Sequence, residues 1–316
     1  MSPGSRNRDI GPEADLLAKK ENLRQRARIL GAVRGFFLDH GYLEVETPYI
    51  VETPIPEAHI EYVETPRGVL HPSPEIYMKR LLSAGYDRIF QIARCFREGE
   101  RGDRHIREFT LLEWYRTGIG YLELMDECEF MIRSVAKKLG LGRTLPRGGR
   151  ALSLESPWER IPVTEAFERY SPMPAAEALE RDRFDEMLGI HVEPCLGTDA
   201  PAFIYDYPAS RASLSRLRAG DPSLCERFEL YMGGLEIANG FSELTDPGEQ
   251  RERFLRETDI RRASGLKVFP LPESFLRALE NMPRSAGIAL GLDRLVMVFR
   301  DCARIDDVVA FTPEDG

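Results

Sequence analysis

The sequence predicts an α+β fold in which an antiparallel sheet is flanked by helices. Strand candidates come as neighbours, 88–96 followed by 109–115 and then a strand-rich run over 203–243, and not as strand–helix–strand units. Helical periodicity frames them, most clearly over 21–40 and 121–139. Neither G-x-x-x-x-G-K-[ST] nor G-x-G-x-x-G occurs, which removes the P-loop and the Rossmann dinucleotide folds.

The elements follow in order. Residues 1–21 are polar, with Pro3, Gly4, Gly11 and Pro12, and are expected to form a flexible leader. Over 21–40, Leu23, Ile29, Leu30, Val33, Phe36 and Phe37 recur at three- and four-residue spacing, and Gly41 stops the helix. Residues 42–50 read as a strand whose Pro48 suits an edge. Pro54, Pro56 and Pro66 within 51–72 predict a loop with a short hairpin, and 74–84 is helical. In 88–96, Ile89, Gln91, Ala93 and Cys95 share one face and Phe90, Ile92, Arg94 and Phe96 the other. Over 121–139, Leu124, Phe130, Ile132 and Val135 are expected to face inward. A Gly-, Arg- and Pro-rich connection over 140–160 precedes a helical stretch over 161–196, together a helical insertion near 140–200. The stretch 286–300 starts as a small-residue strand and becomes a helix after Gly291. The expected organisation is one catalytic domain over 22–316.

Composition narrows the function classes. Of 316 residues, 42% are hydrophobic and 30% charged, enough for a sizeable core. The charge sum, 43 − 52 = −9, argues against a nucleic-acid binder held by a basic surface. No apolar run is long enough to span a membrane and no secretory h-region opens the chain. The five cysteines form no C-x-x-C pair and no H-E-x-x-H occurs, so reduced thiols in the cytoplasm are expected, not a disulfide framework or zinc site.

Four constellations could carry chemistry. Arg94, Arg97, Arg101, Arg104, His105 and Arg107 crowd the loop between the first two long strands, where guanidinium forks suit phosphate and Phe109 offers a ring to a purine. A solvated hairpin tip is the bland alternative. Gly233-Gly234 reads as a two-residue hairpin turn, pairing Tyr231 with Glu236 and placing Glu229 on the same face as Glu236. Two like charges there call for a cation such as magnesium, or else are simply solvated. In Asn239-Gly240-Phe241-Ser242-Glu243, an amide, a ring and a carboxylate alternate onto one face, fit for an aliphatic ammonium group. Glu75 and Glu113 sit among apolar neighbours and require a cationic partner, an arginine or a ligand. Gly287 to Leu295 runs a glycine-bearing strand into a helix headed by Arg294, which suits a terminal phosphate or a surface ion pair.

Taken in this order, the segments resemble the three signature motifs of class II aminoacyl-tRNA synthetases. Gly41 to Pro48 is similar to motif 1, Phe96 to Glu113 to motif 2 and Gly287 to Arg294 to motif 3. Ser73-Pro74-Glu75, Arg227-Phe228-Glu229 and Asn239 to Leu244 resemble the lysyl branch. Lysyl-tRNA synthetases carry an N-terminal OB-fold that reads the anticodon; with motif 1 near residue 41, none is expected here. Glu113-Trp114-Tyr115-Arg116, Phe203 to Ser210, and Ala289 in place of a glycine resemble the elongation factor P–(R)-β-lysine ligases. The resemblance covers about residues 22–312.

That resemblance implies activation of (R)-β-lysine or lysine with ATP and Mg2+, and transfer to a lysine side chain of translation elongation factor P. It implies a homodimer, with no membrane or tRNA partner. Arg97 would bind the α-phosphate, and His105 and Arg294 the outer phosphates. Phe109 would stack on adenine, with Glu98, Gly99, Glu100, Glu236, Ile237 and Gly291 around the nucleotide. Glu100 is assigned to read adenine, in a loop that departs from the family pattern at Ile106, where asparagine is usual. Glu229 and Glu236 would hold magnesium. Glu75, Glu113, Tyr115 and Glu243 would grip the substrate ammonium groups, with Ser73, Pro74, Asn239, Phe241 and Ala289 shaping the pocket. A truncated lysyl-tRNA synthetase and a non-catalytic amino-acid sensor are the competing readings.

Overall fold

The computed structural model describes residues 12–315. At its centre lies a sheet whose strands run, in spatial order, Leu43–Glu44, Arg88–Phe96, Glu108–Thr117, Ser285–Gly291, Glu236–Ser242, Asp221–Tyr231, Ala202–Pro208 and Glu159–Pro162. Leu217–Arg218 adds a short pairing to Asp221–Tyr231. All pairings from Arg88–Phe96 across to Ala202–Pro208 are antiparallel, as expected. The two outermost strands correct that expectation, since both pair parallel. Each reaches the edge through a long connection, so no hairpin dictates its direction.

Alternation gives the sheet two different faces. Phe90, Leu112, Trp114, Ile288, Leu290, Phe228 and Leu230 point to one side. There they form the main core with helices Pro12–Asp39, Tyr121–Lys138 and Leu292–Phe299. Within this layer Glu127 accepts hydrogen bonds from Tyr42 Oη, Trp114 Nε1 (2.9 Å) and Arg116 Nη1 (2.9 Å), pinning the second helix to the sheet. The opposite face is covered in two places. Helices Glu75–Ser83, Pro247–Ala263 and Glu273–Leu279 pack over Ile89 and Tyr115. Helices Val163–Tyr170, Ala175–Glu180 and Phe184–Met187 pack over Ile204 and Tyr231, with Phe167 and Phe184 stacked at 4.8 Å. Polar residues line the sheet between the two covers.

Several expectations change. The part of the expected leader within the described residues is helical, because the first helix starts at Pro12; residues 1–11 lie outside the described residues. The expected 42–50 strand splits around Pro48: two residues join the main sheet, and Ile50–Val51 joins a side sheet with Glu64–Thr65 and Gly68–Leu70. The 140–200 segment is not wholly helical, since it opens with the hairpin Thr144–Arg147 and Arg150–Ser153. Phe130 faces outward and is 51% exposed, because Cys128, Met131, Ile132 and Val135 fill the inward stripe.

Replacing Glu127 by alanine strands three buried or half-buried donors at once. We expect a loss of roughly 3 kcal/mol in chemical denaturation, with Glu127→Gln retaining most of it.

Candidate functional site

The floor of the site is one transverse row. Gln91, Glu113, Ala289, Asn239 and Glu229 pair in register across five adjacent strands, so their side chains share the uncovered face. Tyr115, Gly287, Phe241 and Arg227 form the next row. Strand spacing makes the distance from Glu113 to Glu229 roughly 14 Å.

One end of the row is acidic and buried. Glu113 accepts from Ser73 Oγ (2.6 Å) and Tyr115 Oη (2.8 Å). Pro74 precedes the helix that carries Glu75, and the Ser73 hydroxyl also accepts from the Glu75 amide. Lys79, one turn further on, sits between Glu75 Oε1 and Glu243 Oε2 at 2.5 Å from each. Its ammonium lies 4.9 Å from the Phe241 ring centre. Burial pushes Glu113 up to about 7 and Glu243 up to about 8, the latter despite Lys79. Burial alone would lower the Lys79 pKa; Glu243 and Glu75 reverse that and raise it. Glu243 Oε1 has no hydrogen-bond partner. Gly287 is required here, since a Cβ would stand 2.2 Å from the Tyr115 ring and 2.6 Å from Glu243 Oε1.

The other end is cationic. Arg97 lies just past a strand end, its guanidinium 5.1 Å from the Phe109 ring centre and 3.3 Å from Glu100 Oε1. Arg294, in the first turn of its helix, contacts His105 Nε2 (2.6 Å), Glu236 Oε2 (3.1 Å) and the Arg104 carbonyl (3.3 Å). Desolvation and the Arg294 charge hold the His105 imidazole below its usual pKa. Gly291 ends the strand beneath Arg294 and caps that helix. Arg97, Glu100, His105, Phe109, Glu236, Gly291 and Arg294 thus converge as the sequence suggested. The Glu98 carboxylate turns away to Arg107 at 2.9 Å, with Gly99 forming the turn at φ 77°.

The Gly233-Gly234 turn forms, with φ of 62° and 67°, and Tyr231 pairs with Glu236. A bulge then shifts the register at Ile237. The Ile237 side chain is buried in the main core, so only its backbone can face a nucleotide. Burial and the Glu236 carboxylate push Glu229 up, against the pull of Arg227, which lies 2.6 Å away. Glu193, from the inserted segment, is also raised, by burial and by Glu229 and Glu236. Glu229 and Glu236 offer hard oxygen donors, two at most, so a divalent cation here would keep waters and phosphate oxygens as its remaining ligands; no three acidic, histidine or cysteine side chains among the described residues converge as a metal cluster.

Lys79, Gln91, Glu57 and Glu193 were not singled out from the sequence. Lys79 was findable: it stands four residues after Glu75 on a helix face otherwise filled by Ile76, Met78 and Leu82. Glu57, half-buried and pushed up to about 7 by burial, faces Arg97 and Glu75 from an irregular loop that carries no such signal.

The family model described as tRNA synthetases class II (D, K and N) matches residues 16–315. The chain belongs to this family. It is 39% identical to an elongation factor P–(R)-β-lysine ligase of Pectobacterium atrosepticum, over 94% of this chain and 96% of that one. It is 40% identical to the protein of that name from Proteus mirabilis, over 92% and 94%. With the Vibrio vulnificus protein of that name it shares 36%, over 93% and 96%. ATP use is implied for a class II synthetase-like ligase of this kind. None of the helices among the described residues is long and apolar enough to cross a membrane.

The raised carboxyl pKa values in this class II fold have a stability consequence. Their contribution is full below about pH 4, where the unfolded chain is also protonated, and is lost as pH rises through 7 and 8. The ligand-free protein should melt lower at pH 8.5 than at pH 6.5, and Glu243→Gln should narrow that gap in a calorimetric comparison.

Proposed function

We propose that the protein activates (R)-β-lysine with ATP and transfers the acyl group to a lysine side chain of translation elongation factor P. The observation that carries this is the placing of buried Glu113 and Glu243 with partly buried Glu75, and of the Arg97–His105–Arg294 cluster, about one face of one sheet. A diamino acid meets the first group with its ammonium ends, and a nucleoside triphosphate meets the second. The names of the relatives supply the acceptor.

In the first step a substrate carboxylate oxygen bonds to the α-phosphorus of ATP and the bond to pyrophosphate breaks. No protein nucleophile is needed; alignment and charge neutralisation suffice. Arg97 is assigned to the α-phosphate, and His105 and Arg294 to the outer phosphates. Phe109 is assigned to adenine, whose approach requires Arg97 to leave the ring it now covers. Glu229 and Glu236 would hold magnesium, which when bound supplies further positive charge to the phosphates. In the second step the acceptor amine, uncharged, attacks the adenylate carbonyl; AMP leaves and the amine sheds a proton. Glu75, Tyr115, Glu113 and Glu243 fix the substrate meanwhile, with Asn239, Phe241 and Ala289 as the pocket wall.

Five unpaired thiols, four of them buried, suit a reducing cytoplasm. Exposed Leu38, Leu43, Tyr49 and Ile50 offer an apolar face to a second copy, which supports a homodimer.

Intact mass of elongation factor P incubated with the protein, ATP and either lysine isomer tests the reading. A gain of one lysyl unit with the β isomer is expected; charging of tRNA in place of the protein would favour the lysyl-tRNA synthetase reading. Specificity has a separate test. Ala289 stands between Glu113 and Asn239 and is partly open to the cleft. Its methyl group narrows the floor where the amine displaced by one carbon in β-lysine must differ from that of α-lysine. Ala289→Gly should shift kcat/KM toward α-lysine by about 10–200-fold, and an unchanged ratio would move specificity elsewhere.

A further inference from the structure

Resting on that reading of the pocket, we propose that Lys79 is a specificity-determining residue. It is the third cation of a charge count in which three carboxylates, two buried and one partly buried, balance one protein ammonium plus the two ammonium groups of a diamino acid. Lys79 is 1% exposed and bonded to two acids. Glu113, by contrast, is met only by neutral hydroxyls. Glu243 has one oxygen on Lys79 and one without a partner. Glu75, Glu113 and Glu243 therefore share a single protein cation, and Glu113 and Glu243 hold their protons to higher pH for want of two more. Two substrate ammonium groups close the account.

Other groups do not disturb the count. The Lys79 helix packs on Glu273–Leu279 through Phe275, Leu276 and Leu279, which carry no charge. Tyr115 and Cys95 are driven toward their neutral forms, first by burial and then by Glu113. Glu57 faces Glu75 from the far side, but Arg97 and Arg227 offset it. The substrate carboxylate belongs at the phosphate end. Without Lys79, a bound diamino acid leaves one buried carboxylate with no cation, and such a group must take up a proton or weaken the complex.

The test is a charge-balance cycle read by ATP–pyrophosphate exchange. Lys79→Met should raise KM for the lysine substrate by at least about 100-fold, with KM for ATP unchanged and with Lys79→Arg retaining most of the affinity. Glu75→Gln alone leaves one positive charge in excess and should also raise that KM. The double variant Lys79→Met/Glu75→Gln removes one charge of each sign and should bind better than either single variant, at least 10-fold better than Lys79→Met. The pH profile supplies a second readout. In the wild type, KM for lysine should fall from pH 6 to 8.5 as Glu113 and Glu243 lose their protons. In Lys79→Met it should rise above about pH 7, where the complex must lose the proton on its odd carboxyl, and the double variant should return to the wild-type profile. If Lys79→Met does not fold, rescue of Glu75→Gln by the second substitution decides the matter. Additive losses and an unchanged pH profile would overturn the role of Lys79. Failure of the wild type to exchange with either isomer would instead overturn the reading of the pocket itself.

Discussion

The site depends on unbroken strand pairing from Arg88–Phe96 to Asp221–Tyr231. A period of two sends Trp114 into the helical core and its neighbours Glu113 and Tyr115 to the opposite face. A slip of one residue would bury the acids against the helices and bring Trp114 into the cleft, an exchange the core would not tolerate. Hydrophobic packing on one face thus fixes the placing of charge on the other. The packing of Phe90, Leu112, Ile288 and Phe228 against the helices is what makes the row Gln91–Glu113–Ala289–Asn239–Glu229 a reliable floor.

Charge along that floor is polarised. At one end carboxylates outnumber cations, and Glu113 and Glu243 hold protons to higher pH; at the other three arginines are each held by an acid. Arg97 is held by Glu100, Arg294 by Glu236 and Arg227 by Glu229. Partners of this kind hold guanidinium groups in place, which lowers the ordering cost of binding an anion there. Arg97 also rests on Phe109 and covers its ring face.

Much of this was readable before any coordinates. Strong alternation made the central strands legible, and charges clustered at loops and strand ends drew attention to Arg97, His105, Glu243 and Arg294. The Ile237 bulge was not legible, because a bulge adds a residue without marking it. The parallel edge strands depend on distant connections that local pattern does not encode. The helix Pro247–Ala263 carries little apolar periodicity, yet Asp246, Pro247 and Glu249 supply a start signal, and the Asp246 side chain accepts from the Glu249 amide at 2.9 Å. Lys79 carried a local signal, its four-residue spacing from Glu75 on an apolar helix face, although a lysine on a helix is ordinarily solvated.

One anchor joins parts of the cationic end that lie nearly two hundred residues apart in the chain. Asp293, buried, accepts from the Thr110 amide at 2.7 Å, and its other oxygen lies 2.5 Å from Arg26 Nη1. Arg26 Nη2 donates to Thr110 Oγ1 at 2.8 Å, closing a triangle. Thr110 follows Phe109 and Asp293 precedes Arg294, so the Phe109 ring and the Arg294 guanidinium are carried by backbone next to a single ion pair. Arg26 belongs to the first helix, which also lies against the main core. A buried carboxylate without its cation is costly, so any displacement of this helix would be felt at Asp293 first. The first helix therefore belongs to the cationic end in the physical sense: through Arg26 it sets where Phe109 and Arg294 stand.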